Sequence, residues 1–112
     1  MDRHRPERFL PLPQVWFDIL LALTGGDLHG YAVMQEVARQ GDAGLHPGTL
    51  YRALARLLES ELIVELDTRP SEGDDERRRY YRVTEQGRAV ARAEAARLER
   101  VVARAHAAKL FA

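Results

Sequence analysis

Residues able to do chemistry gather in three stretches of this 112-residue chain. The first runs Pro47-Gly48-Thr49-Leu50-Tyr51-Arg52-Ala53-Leu54-Ala55-Arg56. Arg52 and Arg56 are four residues apart, one helical turn, so on a helix they share a face. A guanidinium can bond guanine O6 and N7 together, and Thr49 can meet a base edge or a thymine methyl. Pro47, Gly48 and Thr49 fall where such a helix would begin, and the unpaired N–H groups of a helix start favour phosphate. The competing reading is a solvated helix face whose arginines pair with Glu59 or its neighbours. The second stretch holds Arg77, Arg78, Arg79 and Arg82 with no acid between them. Arg78 and Arg79 suit the phosphate backbone or minor groove beside such a helix. Their alternative partners are Glu72, Asp74, Asp75 and Glu76, directly upstream. Third, the hydroxyls of Tyr31 and Tyr51 can reach phosphate oxygens while their rings pack; plain core packing competes with that role.

Other chemistry is missing. Without cysteine there are no disulfides, thiolate metal sites or thiol nucleophile. His4, His29, His46 and His106 are scattered, and no Gly-rich phosphate loop or nucleophile motif is present. The acidic run from Glu72 to Glu76 lacks the spacing of a calcium loop. We expect no catalytic residue, no metal and no cofactor; His29 should cap or brace a turn. Seventeen basic residues balance seventeen acidic ones, which argues against bulk polyanion binding. A hydrophobic fraction of 46% is enough for a packed core. No apolar run approaches the roughly 20 residues of a membrane helix, and Met1–Arg8 lacks a signal-peptide core, so a cytoplasmic chain is expected.

The elements that must position these residues follow from period and punctuation. Residues 1–12 contain Pro6 and Pro11 and read as a flexible arm. A first helix starts near Pro13, continues through the apolar run Val15–Leu23 and stops at Gly25-Gly26. Asp27-Leu28-His29-Gly30 opens a second helix to about Gln40, with Tyr31, Met34, Val37 and Ala38 at helical spacing. A third follows from Pro47 to about Ser60. Leu50, Leu54, Leu57 and Leu58 form its buried stripe, leaving Thr49, Arg52, Ala55, Arg56 and Glu59 outward. Leu62–Asp67 and Arg79–Thr84 read as strands joined by a polar loop. Thr84 can cap a last helix running to about Lys109.

Two helices joined by a Gly-containing turn and followed by a hairpin make a winged helix-turn-helix. With Leu28-His29-Gly30-Tyr31, Pro47-Gly48-Thr49-Leu50-Tyr51 and Arg77-Arg78-Arg79-Tyr80-Tyr81-Arg82-Val83-Thr84 plus Gly87 in that order, the chain resembles the PadR family of bacterial transcriptional regulators. The resemblance covers about Val15 to the C-terminus. It points to the compact branch with a single C-terminal helix. It implies a homodimer that represses a promoter and releases DNA on binding a small molecule. The acidic wing tip departs from many relatives.

The last helix carries Val90, Leu98, Val101, Val102, Ala105 and Leu110 among many alanines. A helix of this length cannot bury that stripe on its own small domain. Packing it on a second copy would remove apolar area from water at about 25 cal/mol per Å². Val90, Leu98, Val101, Val102 and Ala105 are therefore the expected dimerisation residues. Trp16 and Phe17 are the candidate effector pocket, where a small aromatic ligand could stack near Asp18, although dimer or core packing is the simpler account of them.

The expectation is a mainly α winged helix-turn-helix. Residues 1–12 form the arm, 13–84 the DNA-binding domain and 85–112 the dimerisation helix. Its partners are a pseudo-palindromic double-stranded DNA operator and a second copy of itself, with no membrane. The alternative is a winged-helix protein–protein interaction module that does not bind DNA.

Overall fold

In a computed structural model, residues 5–41, 45–66 and 79–111 are described. A 3-10 turn at Pro6–Phe9 leads into α1 (Gln14–Thr24), β1 (Leu28–His29) and α2 (Gly30–Gln40). They are followed by α3 (Pro47–Glu59), β2 (Ile63–Leu66), β3 (Tyr80–Val83) and α4 (Glu85–Ala107). The strands form one antiparallel sheet in the order β1-β3-β2. Leu28 stands opposite Tyr81, and Ile63 opposite Val83. Helices two and three, with the β2–β3 wing, are the elements that the periodicity predicts. β1 is an addition: two residues carry no readable period, and only pairing with β3 makes them a strand.

One core joins these elements. Ile19, Leu20 and Leu23 of α1 meet Val33 and Val37 of α2 and Leu50, Leu54 and Leu57 of α3. Leu62, Ile63, Tyr81, Val83 and Val90 close it from the wing side. Each fully buried Leu or Ile contributes about 1.5–3 kcal/mol of transfer free energy. Ala53 is buried and Leu58 only half-buried, so the inner face of α3 is rotated slightly from the leucine stripe. In α2 the buried residues are Val33 and Val37, while Tyr31 and Ala38 are exposed.

The end of α3, the start of β2 and the start of α4 are tied together. After Ser60, Glu61 N–H donates to Leu58 O at 3.0 Å and Leu62 N–H to Leu57 O at 3.0 Å. This double closure is the Schellman ending, with Glu61 at φ 62° in the left-handed position usually given to glycine. Thr84 N–H then donates to Leu62 O at 3.0 Å, and Thr84 Oγ1 donates to Glu61 O at 2.8 Å. The same Oγ1 accepts from Gly87 N–H at 2.9 Å, making Thr84 the N-cap of α4 as expected. Gly87 is buried against this knot. A Cβ there would overlap the Leu62 carbonyl oxygen and come within 2.9 Å of Val83 Cγ2.

The segment before α1 is not a detached arm over its described residues. The turn Pro6–Phe9 lies on α4, Phe9 and Leu10 pack on the core and Leu12 is buried. Leu12 N–H points at Glu94 Oε1, 3.4 Å away. Glu94 is only 3% exposed and receives two bonds from Arg97, both at 2.8 Å. These bonds hold its carboxyl below the usual glutamate range, against the opposing effect of burial. Prolines and charges hide this docking in the sequence, because it depends on a partner 82 residues away.

Two stability measurements test this packing. Gly87→Ala should cost about 3 kcal/mol in chemical denaturation, since the backbone carbonyl it meets cannot swing aside. Because the Glu94 pKa is lowered by folding, its contribution is present above the ordinary glutamate range and is lost as pH falls through the folded value. Glu94→Gln should therefore lower Tm by a few degrees at pH 7 and flatten the acid side of the Tm–pH profile.

Candidate nucleic-acid interface

The start of α3 is built by short-range chemistry. His46 Nδ1 accepts from Gly48 N–H at 3.1 Å, so an imidazole caps the helix and Pro47 takes the first turn. No acidic residue stands in that turn. The remaining N–H groups and the positive end of the helix dipole are thus unopposed. The Arg52 side chain folds back along the helix, donating to Thr49 Oγ1 at 3.4 Å. A Cβ at Gly48 would lie 3.3 Å from His46 Nδ1 and 3.5 Å from Arg52 Nη1, so Gly48 is the floor between them. His46, Gly48, Thr49 and Arg52 form one polar cluster. His46 was absent from the sequence-based candidates; a histidine directly before Pro47 at a helix start was the available signal.

The two tyrosines stand outside the core. Tyr31 is 59% exposed and Tyr51 50% exposed. Tyr51 also links the two helices of the motif. Its ring lies over Gly30, where a Cβ would come 3.1 Å from Cε1 and 3.2 Å from the hydroxyl oxygen. At the start of α2, His29 Nδ1 accepts from Ala32 N–H at 3.2 Å, which is the capping role expected for it. The His29 ring packs edge-on against Tyr80 of β3, with centroids 5.4 Å apart.

The arginines divide. Arg52 forms no ion pair among the described residues. Arg56 is exposed and reaches Glu59 at 3.7 Å, the local pairing weighed against base contact. Arg79 is paired with Glu65 across the wing at 3.2 Å. Arg82 makes two bonds to Asp27, at 3.0 and 2.8 Å, which bind β3 to the turn before β1. The Arg82 guanidinium holds the Asp27 carboxyl below its usual range. Arg82 is a strut, where the sequence offered it as part of a free basic edge. Arg77, Arg78 and the acids from Glu72 to Glu76 lie outside the described residues.

The other expected sites fall as follows. Val90 is fully buried in the core of its own chain and has nothing to offer a partner. Burial by α1 and the wing accounts for it, because the first half of α4 belongs to the winged core. Leu98, Val101 and Ala105 are half-buried, and Val102 is 46% exposed. Trp16 and Phe17 are half-buried and packed on the core. Asp18 beside them accepts from Gln14 Nε2 at 2.9 Å. Among the described residues no helix is long and apolar enough to cross a membrane.

A capped second and third helix, a wing and a long closing helix define the winged helix-turn-helix class. The profile of the PadR-like transcriptional regulator family matches residues 19–93. The chain belongs to this family, whose members are transcriptional regulators and not enzymes. It is 37% identical over 86 residues to an uncharacterised 37.1 kDa transposon protein of Streptomyces fradiae, spanning 77% of this chain but 23% of that protein. Solved structures share the fold. A PadR family transcription regulator of Clostridium difficile superposes with a TM-score of 0.75 at 22% identity, over 84% of this chain and 96% of its own. A PadR-like regulator of Bacillus cereus gives 0.74 at 20%, over 88% and 92%. A transcriptional regulator of Clostridium thermocellum gives 0.68 at 27%, over 88% and 90%.

Gly30→Ala tests the bridge between the helices. The Tyr51 ring must move by a few tenths of an ångström, so its ring proton shifts and its NOEs to residue 30 should change. The stability cost should be about 1 kcal/mol.

Proposed function

We propose that this regulator binds double-stranded DNA sequence-specifically as a homodimer and represses transcription from a pseudo-palindromic operator. The observation that carries the proposal is the exposed, acid-free start of α3. With the Gly48 N–H taken by the His46 cap, Thr49 presents its backbone N–H to a phosphate, and Arg52 lies one turn on, positioned to extend toward a base edge. In the helix-turn-helix mode the N-terminal residues of the second helix meet the bases in the major groove. Tyr31 and Tyr51, both exposed residues, flank that end, and their hydroxyls are of a kind suited to backbone phosphates. Arg79 can join them, because an exposed ion pair such as its bridge to Glu65 holds it only weakly. Arg78 is proposed beside it from sequence alone. Arg56 takes the next turn of the same face.

The second half of α4 supports the dimer. Leu98, Val101 and Ala105 continue past the domain that covers Val90 and Ala91, and Val102, Leu110 and Phe111 are exposed around them. Pairing two such helices would place two copies of α3 for half-sites one DNA turn apart, about 34 Å.

Two experiments test these statements. In anisotropy titrations with duplexes from upstream of the gene, Arg52→Ala should cost about 1–3 kcal/mol on the preferred site and relax base preference. Arg82→Ala should leave the salt dependence of binding unchanged, since that guanidinium is committed to Asp27. Sedimentation should show a dimer at micromolar concentration, and Val102→Glu with Leu110→Glu should give folded monomers. A monomeric wild type, or an Arg52→Ala variant with unaltered affinity and preference, would contradict the proposal.

A further inference from the structure

A groove of about 460 Å³ opens between the end of α3, the strand β2 and the first turn of α4. Its floor is apolar: Leu58, Ile63 and Val64, of which Val64 is 42% exposed. Three carboxylates stand on its rim, Glu61 from the turn, Glu65 from the strand and Glu85 from the helix, and among the described residues no basic side chain lines it. Only Glu65 has an ion-pair partner among the described residues, Arg79. The walls are preformed, because the bonds of Thr84 to Glu61 O and Leu62 O fix the turn against α4. Among the described residues β2 is the outermost strand and pairs on one side only, with β3. An unpaired strand edge is a template for an added strand.

From this combination we infer that the groove docks an extended basic segment of a partner protein, in which Lys or Arg alternates with aliphatic residues. The segment pairs its backbone with the free edge of β2. Its aliphatic side chains cover Leu58 and Val64, and its cationic heads reach Glu61 and Glu85. Charge decides among the candidate occupants. A second copy of this edge would bring three more carboxylates against the first three and be repelled. A basic strand meets an opposite field. Placement keeps the site open while the regulator is at work. Leu58 lies ten residues beyond Gly48 on α3, about 15 Å along the helix axis from the proposed DNA-reading end. Glu85 lies thirteen residues before Leu98, about 20 Å along α4 from the apolar stripe proposed for the dimer.

The probe is a fluorescein-labelled five-residue peptide, Lys-Val-Arg-Ile-Lys with blocked ends, titrated at physiological salt against full-length protein. A glutamate-for-basic version is the control. The expected result is saturable binding of the basic peptide only, with amide shifts along β2 and the first turn of α4. Glu61→Gln with Glu85→Gln should weaken it at least tenfold, and Val64→Lys should do the same, with helical content and duplex affinity unchanged in both. The inference is overturned if the amides of β2 stay still at saturating peptide, or if the two variants bind the peptide like the wild type. It is equally overturned if a small organic cation such as benzyltrimethylammonium occupies the groove and the peptide does not.

Discussion

The close approach of α4 to the end of α3 governs everything else in this molecule. Gly87 has room for no side chain, so the Leu62 carbonyl can sit against the helix and Thr84 can bond to both Glu61 and Leu62. Through that contact α3, the wing and α4 become one rigid unit. The orientation of α3 relative to the wing follows from it, as does the direction in which the far half of α4 leaves the domain. The proposed dimer, with two copies of α3 on one duplex, would need that geometry fixed within each copy before a second copy could use it.

Electrostatics then sort the arginines into different tasks. The chain is neutral as a whole, so attraction to a polyanion must come from how charge is distributed. Arg82 is spent on Asp27, Arg97 on Glu94, and Arg79 is lightly held by Glu65. The start of α3 escapes this pairing, with no acid in its first turn and Arg52 folded over Gly48 and Thr49. Acids gather instead at the opposite end of α3, around Glu61, Glu65 and Glu85. The domain is polarised along its third helix, and the two ends are suited to partners of opposite charge.

Much of this was legible in the sequence because it rests on short-range rules. The apolar run of α1, the leucine stripe of α3, the Gly25-Gly26 stop, the Thr84 cap and the capping role of His29 all rest on residues near one another in the chain. What escaped depends on distant partners. β1 exists because Leu28 and His29 find β3. Arg82 meets Asp27 across 55 residues, and Leu12 meets Glu94 across 82. Val90 looked like part of a dimer stripe because helical spacing cannot say where a domain ends along its own helix. Tyr31 sat at an apolar spacing in α2, yet Val33 and Val37 fill the core and the tyrosine turns outward. The cap by His46 was readable in principle, since it lies within two residues of its partner.

The central claim is that the start of α3 is the surface that meets DNA. The most direct measurement is an amide chemical-shift titration of the isotope-labelled protein with a duplex taken from upstream of its own gene. The account predicts that shifts concentrate at Gly48, Thr49, Tyr51 and Arg52 and at Tyr31, while Val64 and Glu85 stay in place. A bound complex in which the α3 amides do not move, or in which the shifts gather along the groove beside β2, would contradict it.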